Sequence, residues 1–158
     1  MRLRSVTALG SLALLLTSAS PMTAGAAPSP RTPEFDRMYP GGQLTEGQTM
    51  ISTSSQVYLE LSGGVVTLYA GCNTVLWSPP VTGVATVAYS LTGVLKLKDG
   101  QGRVLAAFGG PKAHPRKLVV QNDGNLVATA AKGWYFQTGT HWAPVQAVHG
   151  GSVAPRCR

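Results

Sequence analysis

Three glycine-led phrases recur at nearly even spacing, and no other feature restricts the possible folds so strongly. They are Gly64-Val65-Val66-Thr67-Leu68-Tyr69, Gly93-Val94-Leu95-Lys96-Leu97-Lys98 and Gly124-Asn125-Leu126-Val127-Ala128-Thr129, with glycines 29 and 31 residues apart. Each is followed by a turn and a second short apolar run: Val75-Leu76-Trp77, Val104-Leu105-Ala106 and Trp134-Tyr135-Phe136. Period-two alternation in such short runs reads as strand, and a repeat of this length reads as one supersecondary unit that needs its copies to bury an apolar face. The pattern therefore predicts a single all-β domain made of three hairpin-based repeats. Composition agrees: 19 Gly and 11 Pro favour turns, and only 12% of residues are charged, against about 25% in an average soluble domain. Charged helical proteins, coiled coils and disordered tails are disfavoured, and six carboxylates leave little material for acid/base chemistry.

The N-terminus has a separate logic. Arg2 and Arg4 precede an uncharged run from Ser5 to Ser18, and Ala24-Gly25-Ala26 supplies an A-x-A cleavage pattern. Residues 1–26 read as a secretory signal peptide, the apolar run being short for the roughly 20 residues of a membrane span. The expected mature protein is secreted, with no membrane span, and keeps eleven Lys/Arg against six acids, a formal charge of +5. That charge is too sparse for a nucleic-acid surface. Residues 27–42, with four prolines and no periodicity, read as a flexible leader in which Phe35 and Tyr39 dock locally. The domain is expected over residues 43–144, followed by a tail over 145–158. Cys72 and Cys157 are the only cysteines. In an oxidising compartment they read as one disulfide tethering the tail, the alternatives being a buried thiol and an intermolecular bridge.

Chemistry concentrates in the third repeat. On a continuous strand, Gln121, Asp123, Asn125, Val127 and Thr129 share one face. Two amides, a carboxylate and a hydroxyl offer donors and acceptors in fixed order, which suits a polyhydroxylated ligand, with Val127 against the C–H face of a sugar. The same Asn-Asp-Gly-Asn run is also good turn chemistry.

These residues resemble the bulb-type (monocot mannose-binding, GNA-like) lectin domain, whose repeats carry Q-x-D-x-N-x-V-x-Y. Gln121, Asp123, Asn125 and Val127 match, and Thr129 stands where the family has Tyr. Leu44 to Met50 resembles the family's opening L-x-x-G-x-x-L, Trp77 fits the tryptophan after the first repeat, and Phe136 takes the equivalent place after the third. The resemblance, over residues 42–144, implies a β-prism II fold: three small antiparallel sheets about a pseudo-threefold axis, with tryptophans packed at the centre. It implies mannose-type carbohydrate binding without metal or cofactor, through Gln121, Asp123, Asn125 and Val127, and a C-terminal strand that can complete a neighbouring subunit in an oligomer. Leu61, Gly63, Val65 and Thr67 in the first repeat, and Ser90, Thr92, Val94, Lys96 and Lys98 in the second, do not fit the motif. At most one site of three is intact, that of the third repeat, and most multivalent avidity goes with the others.

An enzyme is disfavoured. There is no G-x-S-x-G context, and of the two carboxylates in the later half, Asp99 and Asp123, both sit in turn-like runs rather than as a positioned glycosidase pair. His114, His141 and His149 have no metal-pair spacing. Lys96, Lys98, Arg103, Lys112, Arg116 and Lys117 form a basic stretch that reads as a solvated face, or as a surface for anionic cell-surface polymers. The rival function is a structural or protein-interaction module that keeps the fold and has lost sugar binding.

Overall fold

The computed structural model describes residues 33–142. Three short strands come first: β1 (Arg37–Met38), β2 (Gln43–Thr45) and β3 (Thr49–Ile51). Three meanders follow, one for each repeat. They are β4 (Val57–Ser62), β5 (Val65–Ala70) and β6 (Thr74–Trp77); β7 (Thr86–Tyr89), β8 (Leu95–Lys98) and β9 (Val104–Phe108); β10 (Pro115–Val120), β11 (Leu126–Ala130) and β12 (Gly133–Gln137). Each meander gains one short strand at its edge, giving three antiparallel four-stranded sheets ordered β3-β4-β5-β6, β2-β7-β8-β9 and β1-β10-β11-β12. The glycine-led phrases form or lead into the third strand of each sheet, as the alternation predicts. Among the described residues there is no helix.

The alternation sorts side chains cleanly. Val66, Leu68 and Ala70 on β5, Leu95 and Leu97 on β8, and Leu126 and Ala128 on β11 all point into one core. The short strands deliver one fully buried residue each: Met38, Leu44 and Met50. Burying a side chain of this size contributes about 1.5–3 kcal/mol, which explains how strands of two or three residues hold their places. The domain starts earlier than the boundary expected at Gln43. Residues 34–42 are not a flexible leader: Met38 pairs with Leu118 and Arg37 with Val119, and the Asp36 carbonyl accepts the Val120 N–H at 2.9 Å. Phe35 and Tyr39, expected to dock, are exposed, and Met38 docks instead. The expected signal peptide (1–26), residues 27–32 of the leader, the tail (145–158) and Cys157 lie outside the described residues.

At the centre, Trp77 of β6, Phe108 of β9 and Phe136 of β12 bring one ring from each repeat. Trp77 meets Phe108 edge-on at 5.3 Å between centroids, and Phe108 lies 6.0 Å from Phe136. Trp77 pairs with Leu68 and Phe136 with Ala128, but the matching partner of Leu97 is Ala106. The second repeat therefore supplies its ring from two residues further along.

Tyr89 is fully buried, and its hydroxyl meets that of Tyr135 at 2.6 Å. The Tyr135 hydroxyl donates to the Gly93 carbonyl at 2.6 Å, so it accepts the proton of Tyr89. Burial, followed by this hydrogen bond, raises the Tyr89 phenol above the ordinary tyrosine range. A folded-state value raised above the unfolded one gives stability that is complete below about pH 10 and lost as pH rises further. In an absorbance titration at 295 nm, the Tyr89 phenolate should appear only together with alkaline unfolding. A reversible Tyr89 step in folded protein near pH 10 would contradict the buried pairing.

Candidate functional site

The five motif residues of the third repeat do not lie along a single strand. β11 begins at Leu126, and residues 121–125 form the loop that closes β10 onto it. The Gln121 N–H donates to the Asn125 carbonyl at 2.8 Å, and the Gly124 N–H donates to the Gln121 carbonyl at 3.2 Å. Only Val127 and Thr129 stand on the outward face of β11, in the phase opposite to the core residues Leu126 and Ala128. The turn reading thus holds for residues 121–125, and the loop itself carries the amide and the carboxylate.

The loop presents its side chains unequally. Gln121 and Asp123 are exposed. The Asp123 carboxylate accepts the Asn125 N–H at 3.1 Å through Oδ1, leaving its other oxygen to solvent. Both line a shallow cleft of about 400 Å³, bounded across from them by Asp36 and Thr53. The far wall is tied to the loop, since Asn122 Oδ1 accepts the Thr53 hydroxyl at 3.1 Å and the Ser54 N–H at 2.9 Å.

Asn125 is only 9% exposed, and its amide is engaged within the protein. Nδ2 donates to Gln137 Oε1 at 3.0 Å, while Oδ1 accepts the Thr138 hydroxyl at 2.9 Å and the Gly139 N–H at 3.1 Å. Thr129 donates its hydroxyl to the Lys117 carbonyl at 3.2 Å. Val127, buried, faces Val119 on one side and Gln137 on the other. The segment after β12 closes over the loop: the Trp142 N–H donates to the Asp123 carbonyl at 2.6 Å, and the Thr140 hydroxyl donates to the Gly124 carbonyl.

Register adds a residue that the sequence did not mark. Arg37 pairs with Val119, which pairs with Val127, so Arg37 stands two strands from Val127 in the same sheet. It grips Asp36 through two hydrogen bonds of 2.6 and 3.0 Å and holds that carboxyl below the usual carboxylate range. A two-residue strand has no detectable period, so alternation could not have found Arg37.

The other repeats differ in their loops. The loop from Ser90 to Val94 has the same two backbone bonds as the third: Ser90 N–H to Val94 carbonyl at 2.9 Å and Gly93 N–H to Ser90 carbonyl at 2.8 Å. Ser90 occupies the Gln121 position, but its hydroxyl accepts the Val94 N–H at 2.9 Å. The first repeat is one residue shorter. Leu61 pairs with Val66, whereas Tyr89 pairs with Leu95 and Val120 with Leu126. Its turn is the two-residue Gly63-Gly64, with φ of +59° and +72°, a conformation open to glycine. Leu61, aligned by sequence with Gln121, is a buried core residue. The basic stretch is divided: Lys96 and Lys98 stand on β8, Lys117 on β10, and Arg103 is paired with Asp99 at 2.6 Å. Among the described residues, no three His, Cys, Asp or Glu side chains gather as a metal site.

Solved lectin structures share this arrangement. The Marasmius oreades lectin matches with a TM-score of 0.65 at 28% identity, over 68% of this chain and 93% of that one. Monocot mannose-binding lectins from Gastrodia elata match with a TM-score of 0.59 at 19% identity, over 68% of this chain and 99% of theirs. The Polygonatum cyrtonema lectin, solved with monomannoside, matches with a TM-score of 0.53 at 18% identity, over 72% and 99%. No family model and no curated protein sequence matches the chain. Three sheets of four strands, three repeats in register and these neighbours give the described chain the β-prism II fold of the monocot mannose-binding lectins.

Proposed function

We propose that the protein is a secreted, non-catalytic lectin that binds a neutral, mannose-type sugar at the third repeat alone. The supporting observation is the Gln121–Asn125 loop: Gln121 and Asp123 are exposed with free polar atoms, on a loop braced by Asn125, Thr140 and Trp142. In this reading Gln121 and Asp123 contact the sugar directly, Val127 lies beneath it, and Asn125 and Thr129 chiefly hold the site in shape. Mannose is the first sugar to test because the Gastrodia and Polygonatum neighbours are described with it. Secretion rests on the pattern of residues 1–26. The turn holding Cys72 follows Gly71, which packs against Trp142, so the chain leaves the described domain beside the cysteine expected to bond Cys157.

Calorimetric titration with mannose and mannan tests the site. Removing one neutral and one charged hydrogen bond costs about 2–4 kcal/mol together, so Gln121→Ala with Asp123→Asn should weaken mannan binding at least about tenfold. Binding unchanged in that double variant sinks the assignment. The interaction-module reading is favoured by the engagement of Asn125 with Gln137, Thr138 and Gly139, and absence of binding across a broad panel of neutral glycans would select it.

A further inference from the structure

A second cleft, of about 410 Å³, opens at the other end of β11 between the Lys112–His114 segment and the β11–β12 turn. Its lining includes Lys112, His114, Lys132, Trp134 and Tyr135, and no carboxylate. Trp134 is 64% exposed, a large apolar surface that no described residue covers. The four residues of the turn from Ala130 to Gly133 bring Lys132 beside it.

The cleft is also pre-shaped. The Lys112 N–H donates to the Thr92 carbonyl at 2.9 Å, and its ammonium lies 5.6 Å from the Tyr135 ring centroid, within the range of a cation–π contact. The Tyr135 ring is itself fixed by its hydroxyl on Gly93. The Ala131 N–H donates to the His114 carbonyl at 3.3 Å and joins the two walls. Among the described residues, no ion pair neutralises Lys112, His114 or Lys132; the two ion pairs present are Asp36–Arg37 and Asp99–Arg103. A concave site with an exposed ring and unpaired cations concentrates anions, and rigid walls reduce the cost of ordering on binding.

We propose that this cleft binds an anionic saccharide, stacking a pyranose ring on Trp134 while Lys112 and Lys132 hold its carboxylate or sulfate. A free inorganic anion would leave the indole unused. A nucleic-acid strand calls for a succession of stacking platforms, and the cleft offers one exposed ring. The site is separate from the Gln121–Asn125 loop, since the five residues of β11 lie between them, roughly 17 Å of extended chain. It stands whether or not the loop binds mannose.

The test uses the full chain, with tryptophan fluorescence and calorimetry, against an oligogalacturonate pentamer, a heparin-derived tetrasaccharide, neutral maltopentaose and a single-stranded oligothymidylate. At least one anionic saccharide should quench emission saturably, bind at least tenfold more tightly than maltopentaose, and weaken as salt rises. Trp134→Ala and the double variant Lys112→Ala/Lys132→Ala should each weaken it at least tenfold, while Gln121→Ala/Asp123→Asn leaves it unchanged. The better of the two anions identifies carboxylate or sulfate as the recognised group. All three cleft residues are exposed, so these variants should fold, and Trp134→Phe should recover part of the affinity. The proposal is overturned if neither anionic saccharide binds at low salt, if binding survives both cleft variants, if maltopentaose binds as well, or if oligothymidylate binds more tightly through the same residues.

Discussion

Gly93→Ala is expected to lower the melting temperature by roughly 15 °C, the largest effect of any conservative substitution considered for this domain. Gly93 has φ of +80°, a conformation that L side chains rarely adopt, and the added Cβ would fall on the Tyr135 hydroxyl and 2.7 Å from Pro115 Cβ. The left-handed backbone costs about 1–3 kcal/mol for a residue with a Cβ. Displacing Tyr135 also removes the acceptor of the buried Tyr89 hydroxyl, a further cost of about 1–3 kcal/mol. Together these come to about 4 kcal/mol, most of it from one methyl group. Gly100→Ala is the matched control, since nothing lies within 4 Å of its Cβ position and its φ is not in that region; it should stay within about 0.5 kcal/mol of the parent. Urea and thermal denaturation of the two variants measure the difference, and equal shifts would refute the Gly93–Tyr135–Tyr89 account.

Asn125→Ala should destabilise the domain by about 3 kcal/mol, and this bears on every binding experiment. The substitution removes the acceptor of the Thr138 hydroxyl and the Gly139 N–H and the donor to Gln137. Buried groups left without partners lose more than the net value of their bonds. Loss of sugar binding in Asn125→Ala would therefore report a collapsed loop as readily as a lost contact. Gln121→Ala and Asp123→Asn avoid the problem, because both residues are exposed and Asn at 123 keeps an oxygen for the Asn125 N–H. Denaturant midpoints and hydrogen exchange at the Gly139 amide give the measurement. A neutral Asn125→Ala would mean that its amide is available to ligand, and would return Asn125 to the list of direct contacts.

The parts of the fold that were legible in sequence share one property: they repeat. The three glycine-led phrases, the inward phase of Leu68, Leu97 and Ala128, and the buried Leu44 and Met50 all follow from period-two alternation or from the family resemblance. Met38 escaped because β1 is two residues long and lies in a proline-rich run, so only the free edge of β10 gives it a place. The site was legible as a set of residue types but not as a geometry. Alternation put Gln121 to Thr129 on one strand face, whereas the chain turns at Gly124, with φ of +87°. The shorter loop of the first repeat was hidden for the same reason. A one-residue deletion leaves the hydrophobic pattern intact and shows only in the pairing of Leu61 with Val66.

Local pattern alone thus determined the all-β class, the three repeats and the residues facing the core, because side-chain alternation is a property of each strand by itself. Tertiary structure decided which polar groups are free. Asn125, one of the two amides in the motif, is held by the segment after β12, while Trp134, two residues before the central ring of Phe136, is left in water beside Lys112 and Lys132. Availability depends on what lies across the sheet and beyond the next turn, and a donor or acceptor carries no mark in the sequence of the partner that will occupy it.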